Sequence, residues 1–201
     1  MRKEDKMYQD AYGDIPNTQL DRIAYILGKK ADNEIFNKSI AACARKVNRI
    51  KKRSIEFTMW KVVKPSRRPR ANTTAGFVRM YVPGAGEAGD WFQQFAKENN
   101  LPFIDTPCEL YMTVYEKTPS SFSIRNKVLA ELGVIRPWRR TGDFDNYAKG
   151  IADAIQHGML ADDCLVIYSV QDLRYSIKPH ADIKIVYYEK HPEEIIFGKR
   201  R

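Results

Sequence analysis

The residues best suited to chemistry lie in one stretch, Thr141-Gly142-Asp143-Phe144-Asp145-Asn146-Tyr147-Ala148-Lys149, continued by Asp153-Ala154 and then by Asp162-Asp163. In an extended segment, residues two apart project to the same side, about 7 Å apart at their Cα atoms. Asp143 and Asp145 are therefore expected to aim two carboxylates at one point. Two such charges repel unless a cation lies between them. Hard divalent ions favour oxygen donors of this kind, and Mg²⁺ commonly takes one or two carboxylates and keeps the rest of its shell for water and phosphate. Directly after Asp145 the spacing of Ala148, Ile151, Ala152 and Ile155 predicts a helix over 146–156. Its first-turn N–H groups and dipole favour a bound phosphate. Lys149 falls one turn beyond Asp145 on the same face, where a cation can hold a scissile phosphate or the charge that grows on it in the transition state. With Asp163 as a further carboxylate, the set suits metal-assisted hydrolysis of a phosphodiester.

A helix of ten to twelve residues is about 15–18 Å long, so Asp163 starts far from Asp143. Either the loop Gln156 to Asp162 folds back, or Asp163 joins the first pair from another subunit, and the residues alone leave both open. Plainer roles compete with chemistry at single positions. Asp145 or Asn146 is able to cap the helix, Asp162 to cap the next element or assist from outside the metal shell, and Asp153 to pair with Lys149 one turn away.

The elements that must position these groups read as follows. Leu20, Ile23, Ala24 and Leu27 recur at helical spacing, as do Phe36, Ile40, Ala44 and Val47, which predicts helices over 18–29 and 33–52. From Ile55 the pattern turns to alternation through Phe57 and Met59 and stops at Lys64-Pro65-Ser66-Arg67-Arg68-Pro69-Arg70, a basic turn ill suited to a sheet. Phe77 to Val82 reads as a strand, Ala88 to Glu98 as a helix with Trp91, Phe92 and Phe95 on one face, and Cys108, Leu110, Met112 and Val114 as the inward side of another strand. An excursion over 118–141 holds a short helix, Ile124 to Leu132, with Gly133 as its stop. Leu165 to Tyr175 and Asp182 to Tyr188 are the last two strands, and the tail that ends Lys199-Arg200-Arg201 is expected to fray.

The chain has 201 residues, enough for one domain with an appended arm. Its net charge of +9 and pI of about 9.4 point to a polyanionic partner. Between Lys38 and Arg70 there are 12 Lys or Arg residues and one acid, Glu56, so this segment accounts for the excess. No apolar run approaches the roughly 20 residues that span a bilayer, so no membrane role is expected. Cys43, Cys108 and Cys164 are widely spaced and without a C-x-x-C pair, which fits reduced thiols in a cytoplasmic, intracellular protein.

Asp-x-Asp-Asn-x-x-Lys-x-x-x-Asp-Ala, followed ten residues later by Asp163 with Asp162 before it, resembles the signature of the RusA-type Holliday junction resolvases. The resemblance implies that Asp143, Asp145 and Asp163 are the acidic cluster and metal ligands, and that Lys149 is the functional lysine. It further implies a Mg²⁺-dependent homodimer, with Mn²⁺ as a substitute, that places paired nicks across branched DNA. The expected architecture is α+β, a mixed β-sheet with flanking helices, RusA-like. A basic helical N-terminal arm is expected over 1–53, the nuclease domain over 54–190 with an insertion at about 118–137, and a basic tail over 191–201. Arg67, Arg68 and Arg70, with Arg139 and Arg140 just before the acidic pair, are expected to contact DNA. The rival readings are a metal nuclease acting on RNA or single strands and a non-catalytic basic DNA-binding module.

Overall fold

Alternation of apolar and polar residues along 108–117 makes the central strand of a four-stranded sheet, and the rest of the fold is arranged on it. The computed structural model describes residues 23, 34–60, 70–72, 79–81, 87–137, 144–156 and 158–198, with backbone alone at 34–37, 70–72, 79–81, 87–88 and 144–145. In chain order the elements are α1 (Glu34–Val47), β1 (Lys52–Met59), β2 (Arg70–Asn72), β3 (Arg79–Tyr81), α2 (Glu87–Glu98), β4 (Cys108–Lys117), α3 (Ile124–Glu131), α4 (Phe144–Gln156), β5 (Val166–Ser176), β6 (His180–Tyr188) and α5 (Pro192–Phe197). The predicted helix 18–29 lies outside the described residues apart from Ile23.

The main sheet runs β1-β6-β4-β5, with β4 antiparallel to β6 and parallel to β5. This is the mixed sheet of an α+β fold. Its inner face is Leu110, Met112 and Val114 of β4 with Ala181, Ile183 and Ile185 of β6, all buried. Phe92 and Ala96 of α2 and Tyr147, Ile151 and Ile155 of α4 close over it in one apolar cluster. Trp91 and Phe95 pack against that cluster, so the aromatic face of α2 belongs to the core. The opposite face is polar: Thr58 Oγ1 donates to Asp182 (2.7 Å) and Lys184 pairs with Glu56 (2.8 Å).

β5 and β6 are consecutive, yet β4 lies between them. Ile177 to Pro179 must therefore step across two strand spacings, about 10 Å, which four Cα steps of 3.8 Å, about 15 Å in all, are able to cover. The connector is tied down on the way: the Thr118 N–H donates to the Ser176 carbonyl (3.0 Å), and Glu131 of α3 accepts from the Ser176 hydroxyl and the Ile177 N–H. α3 opens on Ser123, whose hydroxyl accepts from the Asn126 N–H, and closes at Gly133, where a φ of 73° suits glycine. The insertion is thus anchored along β5, with Arg136 and Arg174 both bonded to Asp172.

Four boundaries differ from the sequence reading. The helix predicted over 33–52 ends at Val47 because Lys52 already starts β1, whose chain the sheet recruits earlier than the alternation shows. Arg70, assigned to a basic turn, sits in β2 and pairs with Tyr81 of β3, since a two-stranded ladder tolerates the preceding Pro69 at its entry. α4 begins at Phe144, so Asp145 lies in the helix and not on an extended run. The tail carries α5 where fraying is expected: Pro192 pre-sets the first turn and Gly198, φ 75°, closes it.

By its contacts the chain forms two compact units, 1–52 with 188–201, and 53–187. In the first, α1 and α5 touch, Lys46 Nζ donates to the Ile196 carbonyl (3.1 Å), and the Glu189 N–H donates to the Lys51 carbonyl (2.9 Å). The second holds the sheet and α2 to α4.

Candidate active site

Tyr147, Ile151, Ala154 and Ile155 are buried in the core, which fixes how α4 is rotated about its axis. Asp145 and Lys149 are each two residues, or about 200°, away from Tyr147 and Ile151, which places their row on the opposite side of the helix. Lys149 is exposed there, and Asp145 is in the first turn at the phosphate-favouring end. Asp143, Arg67, Arg68, Arg139 and Arg140 lie outside the described residues, and of Arg70 the backbone alone is described.

Asp163 starts a 3-10 turn (Asp163–Leu165) that leads into β5, and its side chain is exposed. Its neighbour Asp162 is the cap: the Asp162 carboxylate accepts from the Cys164 N–H at 2.8 Å, and a hydrogen bond from the Cys164 side chain, with this backbone bond second, holds the Asp162 carboxyl below the usual carboxylate range. Upstream, the N–H groups of Gly158, Met159 and Leu160 all turn onto the Ile155 carbonyl. Ile104 then accepts from Ala161 (2.9 Å) and donates to Met159 (2.7 Å), forming a parallel bridge with Leu160 just ahead of β4.

These bonds keep Asp163 at the C-terminal end of α4. Asp145 stands eleven residues before Gln156, about 16 Å along the axis. Along the chain Asp163 thus follows the far end of α4, while Asp145 stands in its first turn. Among the described residues, no three His, Cys, Asp or Glu side chains gather where they could hold a metal.

One arrangement was not legible as a unit in the sequence. On the polar face of the sheet, Trp60 after β1, His180 of β6 and Tyr115 of β4 form a column of rings. The centroids are 4.1 Å apart for Tyr115 and His180, which stack, and 4.9 Å for His180 and Trp60. Nothing in the spacing of residues 60, 115 and 180 announces it. The signal is the register that sets Tyr115 opposite His180.

Two helices close over a mixed sheet, and acids stand in the first turn of α4 and in the turn before β5, on a chain of net charge +9. Residues 62–186 match the family model of endodeoxyribonuclease RusA, and the chain belongs to that family of DNA endonucleases, which resolve Holliday junctions. It is also similar to the uncharacterized protein YqaN of Bacillus subtilis (strain 168), with 30% identity over 135 residues, covering 65% of this chain and 94% of the relative. The matched span encloses α4, Asp163 and the whole main sheet apart from β1 and the end of β6.

Proposed function

We propose that this chain is a divalent-metal-dependent endonuclease that resolves Holliday junctions as a homodimer, with Asp143, Asp145 and Asp163 as metal ligands and Lys149 as the phosphate-holding cation. The observation that carries the reading is the family match across residues 62–186, which contains all four residues. The donor set fits the metal: three carboxylates are hard oxygen donors suited to Mg²⁺ or Mn²⁺. Asp163 is exposed, while the adjacent Asp162 is occupied as a cap. When bound, the cation supplies an activated water and neutralises the leaving oxygen. The chain's own groups do the rest. The first turn of α4 offers N–H groups to the phosphate, and Lys149 answers the charge that develops on it. Arg67, Arg68, Arg70, Arg139 and Arg140 hold the DNA backbone on the way in.

The separation of Asp145 from Asp163 favours a site shared between two copies. β5 is an edge strand, and Ile167, Tyr168 and Val170 are exposed on it, 60%, 53% and 40% respectively. This apolar first half of the edge, ahead of the part that the insertion packs along, is a natural seam for a two-fold partner. Antiparallel pairing there carries the Asp163 end of each copy toward the helix start of the other. The work is assigned to the cytoplasm, where branched DNA arises, and no described helix is long and apolar enough to cross a membrane.

The test is to make Asp145→Asn and Asp163→Asn separately and assay binding and cleavage of a four-way junction with Mg²⁺. Each variant alone is expected to bind and not cut. Mixed and re-equilibrated, they are expected to regain nicking, because a shared site leaves one intact centre per mixed dimer. A mixture that stays inert overturns the shared site, and undiminished cleavage by either single variant overturns its assignment as a ligand.

A further inference from the structure

We infer that the Trp60–His180–Tyr115 column is a stacking platform for an unpaired nucleobase of the DNA substrate, an inference that rests on the reading of branched DNA as substrate. The three rings come from three neighbouring strands, β1, β6 and β4, on the polar face of the sheet. Each is held by its strand. Met59, wholly buried, pins the end of β1 and turns the next residue to the other face. His180 is fixed by a bond of 2.7 Å between its Nδ1 and the Lys178 carbonyl, and since a carbonyl only accepts, Nδ1 carries the hydrogen. Its side chain is 16% exposed, enclosed between the other two rings.

Cross-strand ring pairing accounts for Tyr115 against His180. It leaves the outermost ring unexplained. Trp60 has His180 on one side and is still 63% exposed, so its second face is in solvent. A large flat apolar surface backed by two ordered rings is matched by a partner of the same shape, and every nucleobase has such a face. Charge agrees with this occupant. From Lys61 to Arg70 the sequence carries five cations and no acid, the composition of a segment that follows a phosphate backbone. Polar pairs stand on the same face of β1 and β6, Thr58 with Asp182 and Glu56 with Lys184. Branched DNA supplies what intact duplex does not, bases at the crossover that are free to leave the stack.

The experiment uses the full chain without divalent ion, so that binding is read apart from cleavage. Four-way junction and duplex are titrated with wild type, Trp60→Ala and Trp60→Phe over a range of salt. Base stacking on one aromatic ring predicts a loss of about 5- to 150-fold in junction affinity for Trp60→Ala. Trp60→Phe, which keeps a ring, is expected to lose less than Trp60→Ala, and the slope of log affinity against log salt is expected to stay the same because no phosphate contact is removed. A loss below twofold, or one accompanied by a shallower slope, overturns the platform. Quenching of indole emission by oligothymidylate provides a readout independent of junctions: it is expected in wild type and reduced in Trp60→Phe. Should wild type show no preference for junctions, the resolvase reading falls, and the oligothymidylate result then decides the platform alone, quenching sustaining it and equal emission overturning it.

Discussion

Gly158 is the point at which α4 hands the chain to the turn that carries Asp163, and replacing it with alanine tests how tightly that turn is seated. A methyl group there would stand 2.9 Å from the Cα of Gln93, 3.1 Å from Cδ1 of Phe92 and 3.2 Å from Cβ of Ala96. Carbon atoms pack best at about 3.5–4.0 Å. The shortest contact is with helix backbone, so relief requires α2 to withdraw by roughly half an ångström or more, away from a core in which Phe92 is wholly buried. Overpacking of this kind costs about 1–3 kcal/mol. With three contacts short at once, about 2 kcal/mol is expected, a drop of about 4–8 °C in melting temperature for a chain of this length. The competing effect has the opposite sign: where space allows, Gly→Ala stabilises by about 0.4–1 kcal/mol by restricting the unfolded chain. Urea unfolding followed by circular dichroism separates the two. A variant as stable as wild type, or more so, refutes the packing argument between α2 and the Gly158 turn.

Two further outcomes follow from single side chains. Burial, with the nearby Glu109 adding to it, pushes the Cys108 thiol up to about 11. At pH 8 its thiolate is then on the order of one part in a thousand. Iodoacetamide should label exposed Cys43 and spare Cys108 until the pH nears 11 or the chain unfolds. Mass spectrometry showing both labelled at equal rates at pH 8 contradicts this. At Asp172, burial alone would raise the carboxyl, but the hydrogen bonds from Arg174 and Arg136 outweigh it and hold the group below the ordinary carboxylate range. A depressed folded pKa means that its contribution is present above the unfolded value near 4 and is lost as pH falls through the folded one. Asp172→Asn should therefore cost under about 1 kcal/mol at pH 7, because the pair is partly exposed, and the gap from wild type should narrow below about pH 4. A gap that persists undiminished at pH 3, measured by urea melts, argues against the ion pair as its source.

What could be read in the sequence was mostly what depends on local period. The alternation of Cys108, Leu110, Met112 and Val114 marks β4, and all four are buried as that pattern requires. The helix of Trp91, Phe92 and Phe95, and Gly133 as the end of α3, are equally local signals. The misplaced boundaries come from tertiary effects. Lys52, Arg53 and Ser54 carry no apolar alternation, and they are strand residues because the sheet offers them a partner. Arg70 reads as part of a loop because its pairing with Tyr81 spans eleven residues of non-periodic sequence. The chemistry was legible as residue types and spacing, since Asp145 and Lys149 are one helical turn apart however the chain is packed. Their distance from Asp163 was legible only as a problem. The parallel register of β4 with β5 and the bridge between Ile104 and Leu160 are long-range pairings that no local pattern encodes.

The strand order also governs when the sheet can exist. Among the described residues, β6 is the only neighbour of β1 and one of the two neighbours of β4, and it comes after every other strand in the chain. Until residues 180–188 have left the ribosome, β1 lacks the partner it has in the folded sheet and β4 lacks one of its two. The earlier strands must wait for a piece that follows all of them in the chain and joins β1 to β4 when it arrives.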